Sequence, residues 1–151
     1  MLAAVVTLAL TGAAAPADVV VERWGIDGRL QHPGALTYVD LGPEGMVMRF
    51  DLSGLPDKAK VYRARLLIER PGRYASAFDI VSGQRGDDGA IRAIGQALKL
   101  LGPDYRAFDA TEAVAAAAAS GAKEALLLVR SAPEYDRRAT MLEIAYEGPA
   151  A

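Results

Sequence analysis

Met46-Val47-Met48-Arg49-Phe50-Asp51-Leu52-Ser53-Gly54-Leu55-Pro56 alternates apolar and polar side chains and then breaks into turn formers. Met46, Met48, Phe50 and Leu52 fall on one side, and Val47, Arg49 and Asp51 on the other. A period of two suits a strand with one face on a core and the other in water, and Ser53, Gly54 and Pro56 end it.

Working outward, the same plan recurs. Val61 to Glu69 places Tyr62, Ala64, Leu66 and Ile68 on one face and Val61, Arg63, Arg65, Leu67 and Glu69 on the other, before Pro71-Gly72. Thr140, Leu142, Ile144 and Tyr146 share a face near the end of the chain. Asp18 to Trp24 carries the β-branched run Val19-Val20-Val21 and stops at Gly25, Asp27 and Gly28. Leu36 to Leu41, followed by Gly42-Pro43-Glu44-Gly45, predicts a hairpin with the strand that starts at Met46. Phe78 to Ser82, Tyr105 to Asp109 and Glu124 to Ser131 read as further extended segments, and Gly83 to Gly89 as a polar loop.

Ile91 to Leu101 fits two readings. Its apolar residues have helical spacing, but Gly95 costs a helix about 1 kcal/mol relative to Ala, so a strand also fits. One helix is predicted near residues 111–120, with Thr111 as N-cap, the alanine-rich run Val114 to Ala119, and Gly121 to close it. Many short strands, turns between them and one late helix define an all-β fold, an antiparallel sandwich of jelly-roll type. Its expected core holds Met48, Phe50, Leu66, Ile68, Leu142 and Ile144.

Composition narrows the function. The chain has 151 residues with a formal net charge of −2, so no overall field draws in nucleic acid. No cysteine is present and there is one histidine, which removes disulfides, thiol nucleophiles and multi-histidine metal clusters. Gly-x-Ser-x-Gly and phosphate-loop motifs are missing, and Asp87-Asp88 reads as a turn rather than a catalytic or calcium-binding pair. His32, in Gln31-His32-Pro33-Gly34, reads as a surface turn residue. The expectation is a protein that is not an enzyme and needs no cofactor or metal.

Residues 1–17 stand apart. The apolar run Leu2 to Leu10 is too short to span a bilayer, and with Ala13-Ala14-Ala15-Pro16-Ala17 it has the form of a secretory signal peptide cleaved between Ala15 and Asp18. The expected organisation is a signal over 1–17, one sandwich domain over 18–147 and the start of a linker at 148–151. That implies a secreted, periplasmic or cell-surface protein without a membrane span once the signal is removed.

Met48-Arg49-Phe50-Asp51-Leu52-Ser53-Gly54-Leu55-Pro56 followed by Val61 to Ile68 resembles the opening signature of the DNRLRE-domain family. Phe108-Asp109-Ala110-Thr111-Glu112-Ala113-Val114 is similar to that family's helix entry. Leu126 to Ser131 and Met141 to Tyr146 resemble its two late strands. The resemblance implies a non-catalytic β-sandwich module of a larger exported or envelope protein, some such modules being associated with polysaccharides, including acidic ones.

Two candidate binding features follow from the residues themselves. If the clearest strands share an outer side, Arg49, Arg63, Arg65 and Arg130 form a guanidinium platform suited to carboxylates or sulfates. Asp51, Glu69 and Glu143 lie on the same side and would neutralise it through cross-strand pairs. Among the aromatics, Phe50, Tyr62, Phe78, Phe108 and Tyr146 read as core. Trp24, Tyr74, Tyr105 and Tyr135 fall near strand ends or loops, and Tyr74 and Tyr135, each close to arginine, are the rim contacts of choice. The partner expected is a polysaccharide or another envelope protein.

Overall fold

A computed structural model describes residues 18–69, 78–102 and 106–148. The leader, Pro71-Gly72, Tyr74 and Tyr105 lie outside the described residues. Ten strands, one α-helix and, between the second and third strands, a short 3-10 helix (Gly42–Glu44) are present among those described: β1 (Val19–Gly25), β2 (Leu36–Asp40), β3 (Met46–Asp51), β4 (Val61–Ile68), β5 (Asp79–Arg85), β6 (Ile91–Ala97), β7 (Leu100–Gly102), β8 (Arg106–Asp109), α1 (Thr111–Ser120), β9 (Glu124–Ser131) and β10 (Met141–Glu147).

They form two five-stranded sheets. The first has the order β1-β10-β4-β8-β7 and the second β2-β3-β9-β5-β6, with every strand pair antiparallel. The chain passes back and forth between the sheets, and its last two strands insert centrally, β9 between β3 and β5 and β10 between β1 and β4. This wrapping is that of a jelly roll, in which two Greek keys close over one core. Met48, Phe50, Leu66, Ile68, Leu142 and Ile144, the core expected from alternation, are all fully buried between the sheets.

The outer face of the second sheet departs from simple alternation. Val47 points away from the core as expected, yet it is fully buried, because Val81, Leu126 and Leu128 of neighbouring strands join it in a second apolar cluster that Leu41 and Ile91 flank.

Tyr62 reverses its expected side. β4 and β10 pair Arg63 with Ala145 but Val61 with Tyr146, so Tyr62 is the extra residue of a bulge. An extra residue flips the facing of what precedes it. Val61 therefore packs on the core, and Tyr62 is 43% exposed, its hydroxyl donating to Glu147 Oε1.

One strand boundary and one helix cap differ from expectation, and the open reading of Ile91 to Leu101 resolves to strand. β5 runs through Gly83 to Arg85, so the polar turn shrinks to residues 86–90, where Asp88 accepts from Ala90 N and pairs with Arg92. Ile91 to Ala97 is a strand: Gly95, at φ +74°, takes the left-handed conformation in the bulge where Val81 pairs with Ala97 and Ser82 with Ile94. Thr111 does not cap α1. Its hydroxyl instead bridges the backbone of Ala64, accepting from N at 3.0 Å and donating to O at 3.3 Å, and so ties the helix start to β4. The helix ends as expected at Gly121, in the left-handed conformation at φ +76°. Gly148, expected to begin a linker, is buried and donates to Asp18 O at 2.8 Å, which prolongs the pairing of β10 with β1.

Candidate functional site

The four arginines do not form one platform. β3 and β9 belong to the second sheet and β4 to the first, so Arg49 and Arg130 lie on one outer face of the sandwich and Arg63 and Arg65 on the other. The 52–60 connection carries the chain across the sandwich instead of closing a hairpin.

Three of the four are held by carboxylates. Arg49 Nε lies 2.7 Å from Glu124 Oε1, and Arg85 of β5 grips the other oxygen of Glu124 at 3.0 Å. Arg130 pairs with Asp79 through two bonds of 3.0 and 3.1 Å. Arg65 Nη2 is 2.5 Å from Glu143 Oε1, and Arg23 of β1 takes Glu143 Oε2 at 3.0 Å. Arg63 is exposed and makes no ion pair among the described residues.

Tyr135 is not a free rim residue. It is half-buried against the core and meets Phe78 edge-on at 5.5 Å, while Phe78 meets Phe108 in the same way at 5.7 Å. Burial pushes its hydroxyl pKa up, against the opposing charge of Arg137.

Two features escaped the sequence reading. The first is a polar cluster built on β1. Trp24 is fully buried, and the His32 ring lies flat on it, with centroids 4.0 Å apart and planes within 6°. His32 Nε2 is 2.8 Å from Glu22 Oε1, which also accepts from the Tyr146 hydroxyl at 2.7 Å. A Cβ on Gly54 would collide with the imidazole, so glycine there leaves room for the ring. The Trp24 Nε1–H is buried and finds no acceptor among the described residues. The legible signal was parity: Glu22 falls between Val20 and Trp24 on the inward side of a strand, and an inward carboxylate needs a partner.

The second feature is an open cleft of about 990 Å³ between α1 and the β5–β6 edge. Glu112, Ala116 and Ser120 form one wall, and Gln84, Arg85 and Gln96 the other. The cleft exists because β6 overhangs the edge: every side chain from Arg92 to Gln96 is exposed on whichever face it points, while the alanines of α1 present a low wall opposite. Lys99 and Asp109 stand at its lining, and Asp109 accepts the backbone N–H of Thr111 at 3.0 Å. The Thr111 hydroxyl and amide beside it hold the Asp109 carboxyl below the usual range.

Compared with known protein families and with curated proteins, the chain matches no family model and no curated sequence. The DNRLRE resemblance therefore rests on the motifs alone.

Proposed function

We propose that this chain is a non-catalytic, exported module that binds an extended polysaccharide in the α1/β5–β6 cleft, as part of a larger envelope or extracellular protein. The observation that carries this reading is the cleft lining, in which amide, guanidinium and hydroxyl groups stand beside small apolar side chains. A pyranose is amphipathic in the same way: its hydroxyls suit Gln84, Gln96, Arg85 and Ser120, and its CH faces suit Ala116 and Ile94. Concave surfaces with a few convergent polar groups are the usual ligand sites of small domains.

The charges bear on the kind of glycan. Arg85 and Lys99 are offset by Asp109, Glu112 and Glu124, so the cleft has no cationic excess to favour a polyanion. A neutral chain is the better fit, and its binding depends little on salt. The second reading, a protein partner, rests on Ile94, Leu100 and Leu101, which are 41–43% exposed on the edge strands β6 and β7.

Titration with neutral and uronic-acid oligosaccharides, followed by amide NMR shifts, tests the reading. Binding in roughly the micromolar to millimolar range should move Gln84, Gln96 and Ala116, and Ala116→Arg should abolish it while leaving the melting temperature unchanged. Shifts confined to the outer sheet faces, or no binding of any glycan, would favour the protein-partner reading.

A further inference from the structure

We propose that the glycan of the α1/β5–β6 cleft, on the reading of that cleft as a polysaccharide site, is a chain of N-acetylated sugars, whose acetamido groups set their amides against Gln84 and Gln96 and their methyls against the alanines of α1. The strands bring the two glutamines to one side. Ile80 of β5 packs in the core, and alternation carries Ser82 and Gln84 along the same inner side to the end of the strand, where the cleft opens. On β6, Ile94 lies opposite Ser82. Leu98, just past that strand, turns back onto the core, so Gln96 shares its side. Between Ile94 and Ala97 β6 carries two residues more than β5, which leaves the alternation in step. Across the cleft, Ala113, Ala116 and Ala117 stand at the spacing of one helix face.

The bonds already made in the cleft show which groups are left for a ligand. Arg85 holds Glu124 at 3.0 Å and donates to Gly89 O at 3.3 Å. The Asp109 N–H donates to Lys99 O at 2.8 Å, which keeps those two charges neighbours, and the Asp109 carboxylate accepts from Thr111 N at 3.0 Å. The Ser120 hydroxyl donates to Ala117 O at 3.1 Å within the helix. Glu112 adds an anion to the wall, which disfavours an acidic sugar. Among the described residues, the side-chain amides of Gln84 and Gln96 make no hydrogen bond, and both are exposed. Each presents a donor and an acceptor in one plane.

A secondary amide carries the matching pair: its carbonyl accepts from a glutamine NH2 and its N–H donates to the glutamine oxygen. A sugar hydroxyl can also meet a glutamine, but it brings no methyl group, and the opposite wall is made of methyls. Ala113, Ala116 and Ala117, with Ile94 facing them, offer apolar surface that a sugar bearing only hydroxyls covers with ring CH alone. An acetamido group has both halves, a planar neutral amide for the β5–β6 wall and a methyl for the α1 wall. One methyl seated in an apolar pocket discriminates by about tenfold or more.

Calorimetric titration of the full chain with a tetramer of N-acetylglucosamine and a tetramer of glucose of the same linkage tests the preference. The acetylated chain should bind about tenfold or more tightly, and in saturation-transfer NMR its acetyl methyl protons should receive the strongest signal. Gln84→Ala combined with Gln96→Ala should bring the two affinities close to equality. Both positions are exposed, so the melting temperature should hold. Equal affinities for the two tetramers in the wild type, or a preference that survives the double variant, would overturn the acetamido assignment and leave the glycan reading standing. Failure of the acetylated tetramer to bind would overturn it as well, and if every neutral oligosaccharide fails, the glycan reading falls with it. An N-acetylated, amidated tri-alanine peptide has the same amides and methyls without a sugar ring. Its binding more tightly than the acetylated tetramer would sink the assignment in favour of a protein partner.

Discussion

The two outer faces of the sandwich carry the same device in different settings. On the first sheet, Glu143 of the inserted strand β10 is gripped by Arg23 of β1 and Arg65 of β4; on the second, Glu124 of the inserted strand β9 is gripped by Arg49 of β3 and Arg85 of β5. In each case the late strand carries one carboxylate to guanidiniums waiting on both neighbours. The settings differ in burial, since the Glu143 side chain is 7% exposed and that of Glu124 is 21%. For Glu143 the largest influence is burial, which opposes the charge, and the Arg65 and Arg23 hydrogen bonds overcome it. For Glu124 the largest influence is the Arg85 hydrogen bond itself. Both carboxyls end below the usual range. The second face differs again in carrying the apolar cluster of Val47, Val81, Leu126 and Leu128. One outer face is thus held by a buried charge, the other by apolar packing beside a looser one.

The strongest way to break that contrast is to remove the apolar part. Leu128 is 6% exposed and sits between Val47 and Val81, its partners across β3 and β5. Leu128→Ala should cost about 2–5 kcal/mol, the range for truncating a core leucine, although the residue lies on the face that alternation assigns to solvent. Urea unfolding measures it. A loss below about 0.5 kcal/mol, typical of surface positions, would mean that the outer cluster is not a second core.

Glu143→Gln tests the other side of the comparison. The amide fills the same space but leaves two guanidiniums without a charged acceptor. Each arginine retains solvent access, so the cost should fall short of that for a fully buried broken pair and come to about 1–3 kcal/mol at pH 7. A cost equal to that of the matching change at Glu124 would show that burial does not separate the two faces.

Period-two patterning found the strands and their inner faces because that pattern is itself the physical requirement of a half-buried sheet. It could not show which strands share a sheet. Arg49 and Arg63 look alike in sequence and end on opposite faces, because the choice is made by the 52–60 crossover and by the late insertion of β9 and β10. Nor could it count a bulge: Tyr62 changed sides through one extra residue against Ala145 and Tyr146. His32 sits among turn formers, and nothing local tells that Trp24 and Gly54 will enclose its ring. Of the cleft, only the helix wall was legible, from Thr111 to Gly121; the other wall depends on how far β6 overhangs.

The smallest expected effect sharpens the comparison most, since it separates the two carboxylates by pH. Glu124→Gln should cost less than about 1 kcal/mol at pH 7, as its partners Arg49 and Arg85 are 35% and 42% exposed and solvent screens the pairs. The sign of the pH dependence follows from the direction of the shifts. A carboxyl whose folded pKa is depressed adds stability that is present above its unfolded pKa, about 4.3 for glutamate, and is lost as pH falls through the folded value. Wild-type stability should therefore decline below about pH 4, and each glutamine variant should flatten that decline by what its own carboxylate contributed. The flattening should be greater for Glu143→Gln, whose carboxylate is the less screened, and barely measurable for Glu124→Gln. Chemical unfolding of the three proteins between pH 3 and 7 checks it. Equal acid limbs for the two variants would mean that the arginines on both sides hold their carboxylates as surface pairs, whatever their burial.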